Sequence, residues 1–261
     1  MKFIPLVAAY LAILPLPALA DAGLDVLVAA YPDRLASYSD TELVWKDGTR
    51  MPLGRAQPNL PFDERLNRAS IRDQLAIPYP LSGAPFQGPA PDIDPGRLRN
   101  EAFFLKMYGD CRKAEVSAKL KSVPWLPGHG GGSVRVTTIN GVADQLEKVS
   151  RELDRLPAAL IAYLVPTSGT YNCRPIAETT RLSVHAFGAA IDINSRFGDY
   201  WLWAKRPDGA ITWRNRIPKQ IVEIFERHGF IWGGRWYHFD SLHFEYRPEL
   251  IALAKQGLPR E

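Results

Sequence analysis

The chain has 261 residues, 46% of them hydrophobic and 23% charged, the composition of a globular protein with room for one elaborated domain or two small ones. Disordered, collagen-like and disulfide-scaffold classes are excluded. Lys and Arg number 32 against 28 Asp and Glu, giving a formal charge of +4 and a pI near 9.0 without an extended basic run. That is a mildly basic surface and makes no case for a nucleic-acid partner.

Residues 1–20 read as an export signal. Lys2 opens it, Phe3 to Leu14 is almost wholly apolar, Pro15 and Pro17 break it, and Ala18-Leu19-Ala20 supplies a small-x-small cleavage pattern before Asp21. The apolar stretch approaches membrane-spanning length, but the prolines and the cleavage pattern favour removal over a retained anchor. No cysteine lies near the cut, which rules out a lipid anchor there. The mature protein is expected to be periplasmic or secreted and free of the membrane. Its two cysteines, Cys111 and Cys173, suit an oxidising compartment, where an even number commonly means a bridge; two buried free thiols are the alternative.

From Asp21 to about Arg99 the sequence has little periodicity and is punctuated by nine prolines between Pro52 and Pro95. Such spacing forbids long helices and central strands. Short apolar pieces, Leu24 to Tyr31 and Leu43 to Trp45, are expected to form a helix and a strand. The whole of 21–135 reads as a proline-rich extension wrapped on a catalytic body at 136–261, with a separate small domain as the alternative.

Val142, Leu146, Val149, Leu153 and Leu156 lay one apolar stripe along a helix that Pro157 ends. Ala189 to Asn194 alternates as a strand with one apolar and one polar face. A second helix runs from Pro218 through Ile221, Ile224 and Phe225 to Gly229. Leu242, Phe244 and Tyr246 then fall on one side of a last strand, with His243 and Glu245 on the other. Helices and short antiparallel-type strands in mixed order predict an α+β fold.

Three residues have the types of metal ligands: His185 and Asp192 in Ser183-Val-His-Ala-Phe-Gly-Ala-Ala-Ile-Asp192, and His243 in Asp240-Ser-Leu-His-Phe-Glu245. Two imidazoles and one carboxylate leave the fourth position of a tetrahedral zinc open, as a catalytic site requires. Spacing alone makes this modest, since a histidine is more often structural. No His-Glu-x-x-His occurs, so helix-borne zinc proteases are excluded.

The Ser-x-His-x-x-Gly-x-Ala-x-Asp motif, followed by Gly229-Phe-Ile-Trp-Gly-Gly-Arg-Trp236 and Asp240-x-x-His-Phe-Glu245, resembles the zinc D-alanyl-D-alanine carboxypeptidase family. That family includes vancomycin-resistance peptidases and the L-alanyl-D-glutamate endopeptidases of lysins and wall enzymes. The resemblance spans roughly Asn140 to Pro248. It implies a hedgehog-like α+β fold, a small antiparallel sheet carrying Zn2+ on His185, Asp192 and His243, and peptidoglycan stem peptides as substrate. It also implies Asp240 as general base, where the dipeptidase branch has glutamate, and Arg174 as the arginine that contacts the substrate carbonyl.

Other candidates are Ser183, holding a ligand from behind, and Glu245, an alternative base or the group that orients His243. His238 is read as a substrate contact or a solvent-facing residue, while His129 and His228 need no function. Of Trp201, Trp203, Trp213, Trp232 and Trp236, most should be core. A different-class alternative is a non-catalytic, zinc-containing wall-binding module, against which intact Asp240 and Arg174 argue. Alanine at His185, Asp192 or His243 removes one of only three protein bonds, so each variant is expected to lose zinc, as metal analysis of the purified proteins would show.

Overall fold

A computed structural model describes residues 21–83, 86–176 and 179–257; the expected export signal lies outside them. Asp21 caps the first helix, α1 (Ala22–Ala30), by accepting hydrogen bonds from the Gly23 and Leu24 amides. An antiparallel meander follows, β1 (Leu35–Tyr38), β2 (Glu42–Trp45) and β3 (Arg50–Pro52). Short helices follow: α2 (Phe62–Arg68) and α3 (Ile71–Ala76) are joined by Ala69-Ser70, and a proline-rich connection leads from α3 to α4 (Glu101–Tyr108). A capping box between Ser70 and Asp73 starts α3, and Pro78 follows its end.

A hairpin, β4 (Leu120–Pro124) and β5 (Ser133–Thr137), leads into α5 (Val142–Leu153). Val142, Leu146, Val149 and Leu153 of α5 are buried, so the apolar stripe read from the sequence is the face that packs. Then come α6 (Ala158–Ile161), β6 (Ala190–Asp192), α7 (Trp201–Ala204), α8 (Lys219–Arg227), β7 (Phe230–Trp232), β8 (His243–Tyr246) and α9 (Pro248–Gln256). The last three strands form an antiparallel sheet in the order β6-β8-β7. The architecture is α+β.

One apolar cluster runs from Leu24 and Leu27 of α1, through Phe103 and Phe104 of α4, to Phe187, Ile191, Phe225 and Phe244 around the last sheet. In β8 the alternation has an outcome the pattern alone does not give. Its polar side is not at the surface: His243 is 8% exposed and Glu245 is fully buried. Both faces of the strand are thus buried, and the polar pair needs partners inside the protein.

Cys111 and Cys173 are joined by a disulfide, their Cα atoms 5.7 Å apart. Cys111 opens the 3-10 turn that Asp110 caps, just beyond the end of α4 at Gly109, while Cys173 lies in the segment leading to the Ser183 motif. The bond closes a loop with a sequence separation of 62, for which chain entropy alone assigns on the order of 4 kcal/mol. The double serine variant is expected to lose up to about that much stability in urea unfolding, and full reduction of the wild type to reproduce most of the loss.

Candidate metal centre

The site is built on backbone before side chains. Asp192 ends β6 directly across from His243, the first residue of β8, so the ladder brings the two together irrespective of side-chain choice. His185 arrives from a single 3-10 turn, Val184–Phe187, which Ser183 starts by accepting from the His185 amide at 3.4 Å. Gly188 ends that turn at φ +66°, and a Cβ there would lie 2.8 Å from Leu120 and 3.0 Å from the Thr137 amide. Only glycine lets the chain double back against the hairpin so closely. The Gly169–Asn172 segment lies against both pieces: the Asp192 amide donates to Gly169 O at 2.8 Å and the Asn172 amide to His185 O at 3.1 Å.

His185 Nε2, His243 Nδ1 and Asp192 Oδ1 form a triangle with edges of 3.2, 2.9 and 3.2 Å. Tetrahedral zinc with bonds of about 2.0–2.1 Å needs ligand atoms about 3.3 Å apart, so the three donors already have nearly the required spacing. Their other atoms are committed. His185 Nδ1 meets the Thr170 carbonyl, which turns Nε2 toward the centre, and His243 Nε2 faces Glu245 Oε2 at 3.4 Å, which turns Nδ1 toward it. Backbone carbonyls and carboxylates behind ligating imidazoles are the usual means of fixing tautomer and ring direction.

Charge favours a cation here. Burial works against ionised Asp192, yet hydrogen bonds from His185 and His243 hold its carboxyl well below the ordinary range. Burial likewise opposes a protonated His243, but hydrogen bonding to Asp192 and Glu245 lifts the ring to about 10. The same negative field that would keep a proton on His243 suits a metal ion in its place.

Glu245 is itself anchored. Arg247 Nη1 donates to Oε1 at 3.2 Å, Arg99 approaches Oε2 at 3.6 Å, and Arg247 continues to Glu249 at 2.6 Å, whose other oxygen accepts from Tyr31 at the end of α1. Burial alone would raise the Glu245 carboxyl; His243 and the two arginines bring it down to about 2. Glu245 thus sits behind His243, in the orienting position rather than at the open side of the centre.

Asp240 follows the Trp236 turn and its amide donates to Gly233 O at 3.1 Å. Its Oδ1 is shielded from solvent and has no hydrogen-bond partner among the described residues. Burial, opposed by His243 and assisted by Asp192, pushes its carboxyl up to about 6. The Trp236 ring lies 5.6 Å from the His243 ring and forms a wall of the centre. Arg174 is exposed, and its carbonyl accepts from the Ser183 amide, which ties its backbone to the first motif. Its guanidinium contacts the Pro175 carbonyl at 3.3 Å and touches none of the three ligands.

Several surrounding residues carried no recognisable sign in the sequence. Thr170 acts through its carbonyl, which every residue has. Arg99 and Gly96 belong to the proline-rich stretch, yet Arg99 faces Glu245 and Gly96 O accepts from Arg247. His238 is neither a solvent-facing residue nor placed toward the ligands: Nδ1 meets the buried Asp94 at 2.6 Å, and the ring stacks on Phe62. His129 and His228 bond to the Asp154 carbonyl and to Glu152. Trp232 and Trp236 are buried, whereas Trp203 is 69% exposed.

Residues 177–246 match the family model described as D-alanyl-D-alanine carboxypeptidase. The match is to the zinc peptidase family to which the motifs pointed. It contains His185, Asp192, Asp240 and His243 and stops short of Arg174. No curated protein matches the chain.

The arrangement behind His243 makes a specific demand on the N-terminal region. Arg99→Leu should leave the buried Glu245 carboxylate short of a cation and loosen its hold on His243. Zinc affinity is expected to fall about 10–100-fold in a competition titration with a chromophoric chelator, with the three ligands untouched.

Proposed function

We propose that the protein is an exported zinc metallopeptidase that hydrolyses peptide bonds of peptidoglycan stem peptides, of the L-alanyl-D-glutamate endopeptidase or D-alanyl-D-alanine carboxypeptidase type. The observation that carries this reading is the convergence of the His185, Asp192 and His243 donor atoms within the segment matched to the family. Export rests on the signal-like residues 1–20 and is supported by the Cys111–Cys173 bond; among the described residues no helix is long and apolar enough to cross a membrane.

The donor set suits zinc, held by His185 Nε2, His243 Nδ1 and Asp192 Oδ1. When bound, the ion supplies Lewis acidity, polarising a scissile carbonyl and making water acidic near neutral pH. Asp240, with a free oxygen and a carboxyl that burial pushes up to about 6, takes the proton of the attacking water and returns it to the leaving amine. Arg174 has no carboxylate partner among the described residues, which leaves its charge for the substrate carbonyl as that oxygen becomes negative. Thr170 and Glu245 keep the two imidazoles in their ligand tautomers. The free Asp240 oxygen favours catalysis over a purely wall-binding role.

We assign 21–135 to an extension of the catalytic body at 136–261. Arg99 and Gly96, which support Glu245 and Arg247, argue for that division over an independent N-terminal domain.

Incubating the zinc-loaded protein with purified muropeptides and weighing the products tests the proposal. Loss of a terminal alanine or scission between L-alanine and D-glutamate is expected and would separate the two specificities; an unchanged muropeptide pool would reject both. Asp240→Asn should keep zinc and lose about 10²–10⁴-fold in turnover. Arg174→Ala should also keep zinc while forfeiting a few kcal/mol, roughly, of transition-state stabilisation.

A further inference from the structure

The turn Gly233–Arg235 has two sides. Toward the metal centre, Gly233 packs against the Asp240 carbonyl. On the other side Arg235 borders a second cleft of about 360 Å³, walled by Phe86, Trp213 and Trp232 and edged by Asn215 and Lys219. No metal ligand lines it.

Arg235 is the unusual member. It is 5% exposed, and its guanidinium lies 4.4 Å from the Phe86 ring and 5.6 Å from the Trp232 ring. One nitrogen donates to Ser82 Oγ at 3.1 Å, while Nε has no partner, and among the described residues no carboxylate approaches within 4.0 Å. The buried Glu226 is already engaged, accepting from the Tyr79 hydroxyl at 2.8 Å and the Ser82 amide at 3.0 Å. Glu226 therefore faces Arg235 only across Ser82, and a guanidinium that lines an open cleft without touching a carboxylate is suited to receive one there.

The start of α8 adds to the same field. Ile217, Lys219 and Val222 line the cleft, and no side chain caps the helix at Pro218. Its free amides and dipole favour negative charge. Lys219 is exposed and already reaches Glu223 at 3.1 Å, so among the cleft's cations it is Arg235 that has no carboxylate in contact. One guanidinium fork without a carboxylate in contact has room for one carboxylate. The aromatic walls call for a carbon body beside it.

The geometry points to this cleft as a binding site for a small monocarboxylate on a short organic body, of the size of an N-acylated amino acid. The carboxylate meets the Arg235 fork and the body lies against Trp213 and Phe86. The assignment is independent of the peptidase reading, because it uses none of the metal-centre residues.

Trp213 supplies a local reporter, since its indole N–H donates to Gly234 O at 2.9 Å. In the zinc-loaded protein the Trp213 indole resonance, assigned with Trp213→Phe, is followed in ¹H–¹⁵N spectra during titration with N-acetyl-D-alanine and with the uncharged N-acetyl-D-alaninamide. The acid should shift it saturably and the amide should not. Arg235→Gln should weaken the acid about tenfold or more, the loss of a charge-assisted hydrogen bond. No shift with the acid, an equal shift with the amide, or an unchanged response in Arg235→Gln would overturn the site; the last would assign the response to the metal centre. If Arg235→Gln does not fold, Lys219→Glu on the exposed rim decides: severalfold weaker binding is expected, and unchanged affinity rejects the proposal.

Discussion

A carboxylate with no access to water stands at the centre of this molecule. Glu245 is fully buried, and its ionised form persists because Arg99, Arg247 and His243 surround it. Take away one cation and a buried charge is left uncompensated, a cost typically of about 3–5 kcal/mol. Through Arg247 the arrangement reaches Glu249 and Tyr31, at the opposite end of the chain from β8. The first helix, the proline-rich stretch and the last sheet are thus bound by one electrostatic requirement as well as by a shared apolar core.

That requirement explains why the metal centre can be both charged and enclosed. Two carboxylates, Asp192 and Asp240, face two imidazoles within a largely buried space, and burial opposes the ionised form of each acid. Asp192 stays ionised because two rings hydrogen-bond to it. Asp240 has no such partner and is therefore shifted the other way. Two acids of the same type, three residues and one strand apart from a common histidine, acquire different chemistry from their contacts alone.

The sequence made the short-range parts of this arrangement legible. The stripe on α5, the terminators of α8 and the alternation of β6 and β8 are local patterns, and local patterns fix local structure. The motif residues His185, Asp192 and His243 could be singled out because their side chains are of metal-ligand type and stand in two motifs that resemble a known family. The β1-β2-β3 meander was readable only at Leu43 to Trp45, since its outer strands are four and three residues long with mostly exposed faces. Arg99 and Thr170 were not readable at all. An arginine amid prolines looks like surface until the fold sets it beside Glu245, and a backbone carbonyl has no letter of its own. His238 misled for a related reason: the buried acid that claims it, Asp94, is 144 positions away.

The pairing of Asp192 with His243 across β6 and β8 also limits how the chain can change length. A strand places successive side chains on opposite faces, so one inserted or deleted residue in either short strand would turn a ligand from the centre to the far side of the sheet. The connection between α7 and α8 has no such constraint: from Arg206 to Arg216 most residues are exposed. Substitutions can be absorbed around the centre one contact at a time, whereas the pairing register of the three residues of β6 on the four of β8 cannot slip at all. Length variation among chains of this design should therefore collect in the outer loops and leave β6 and β8 at constant size.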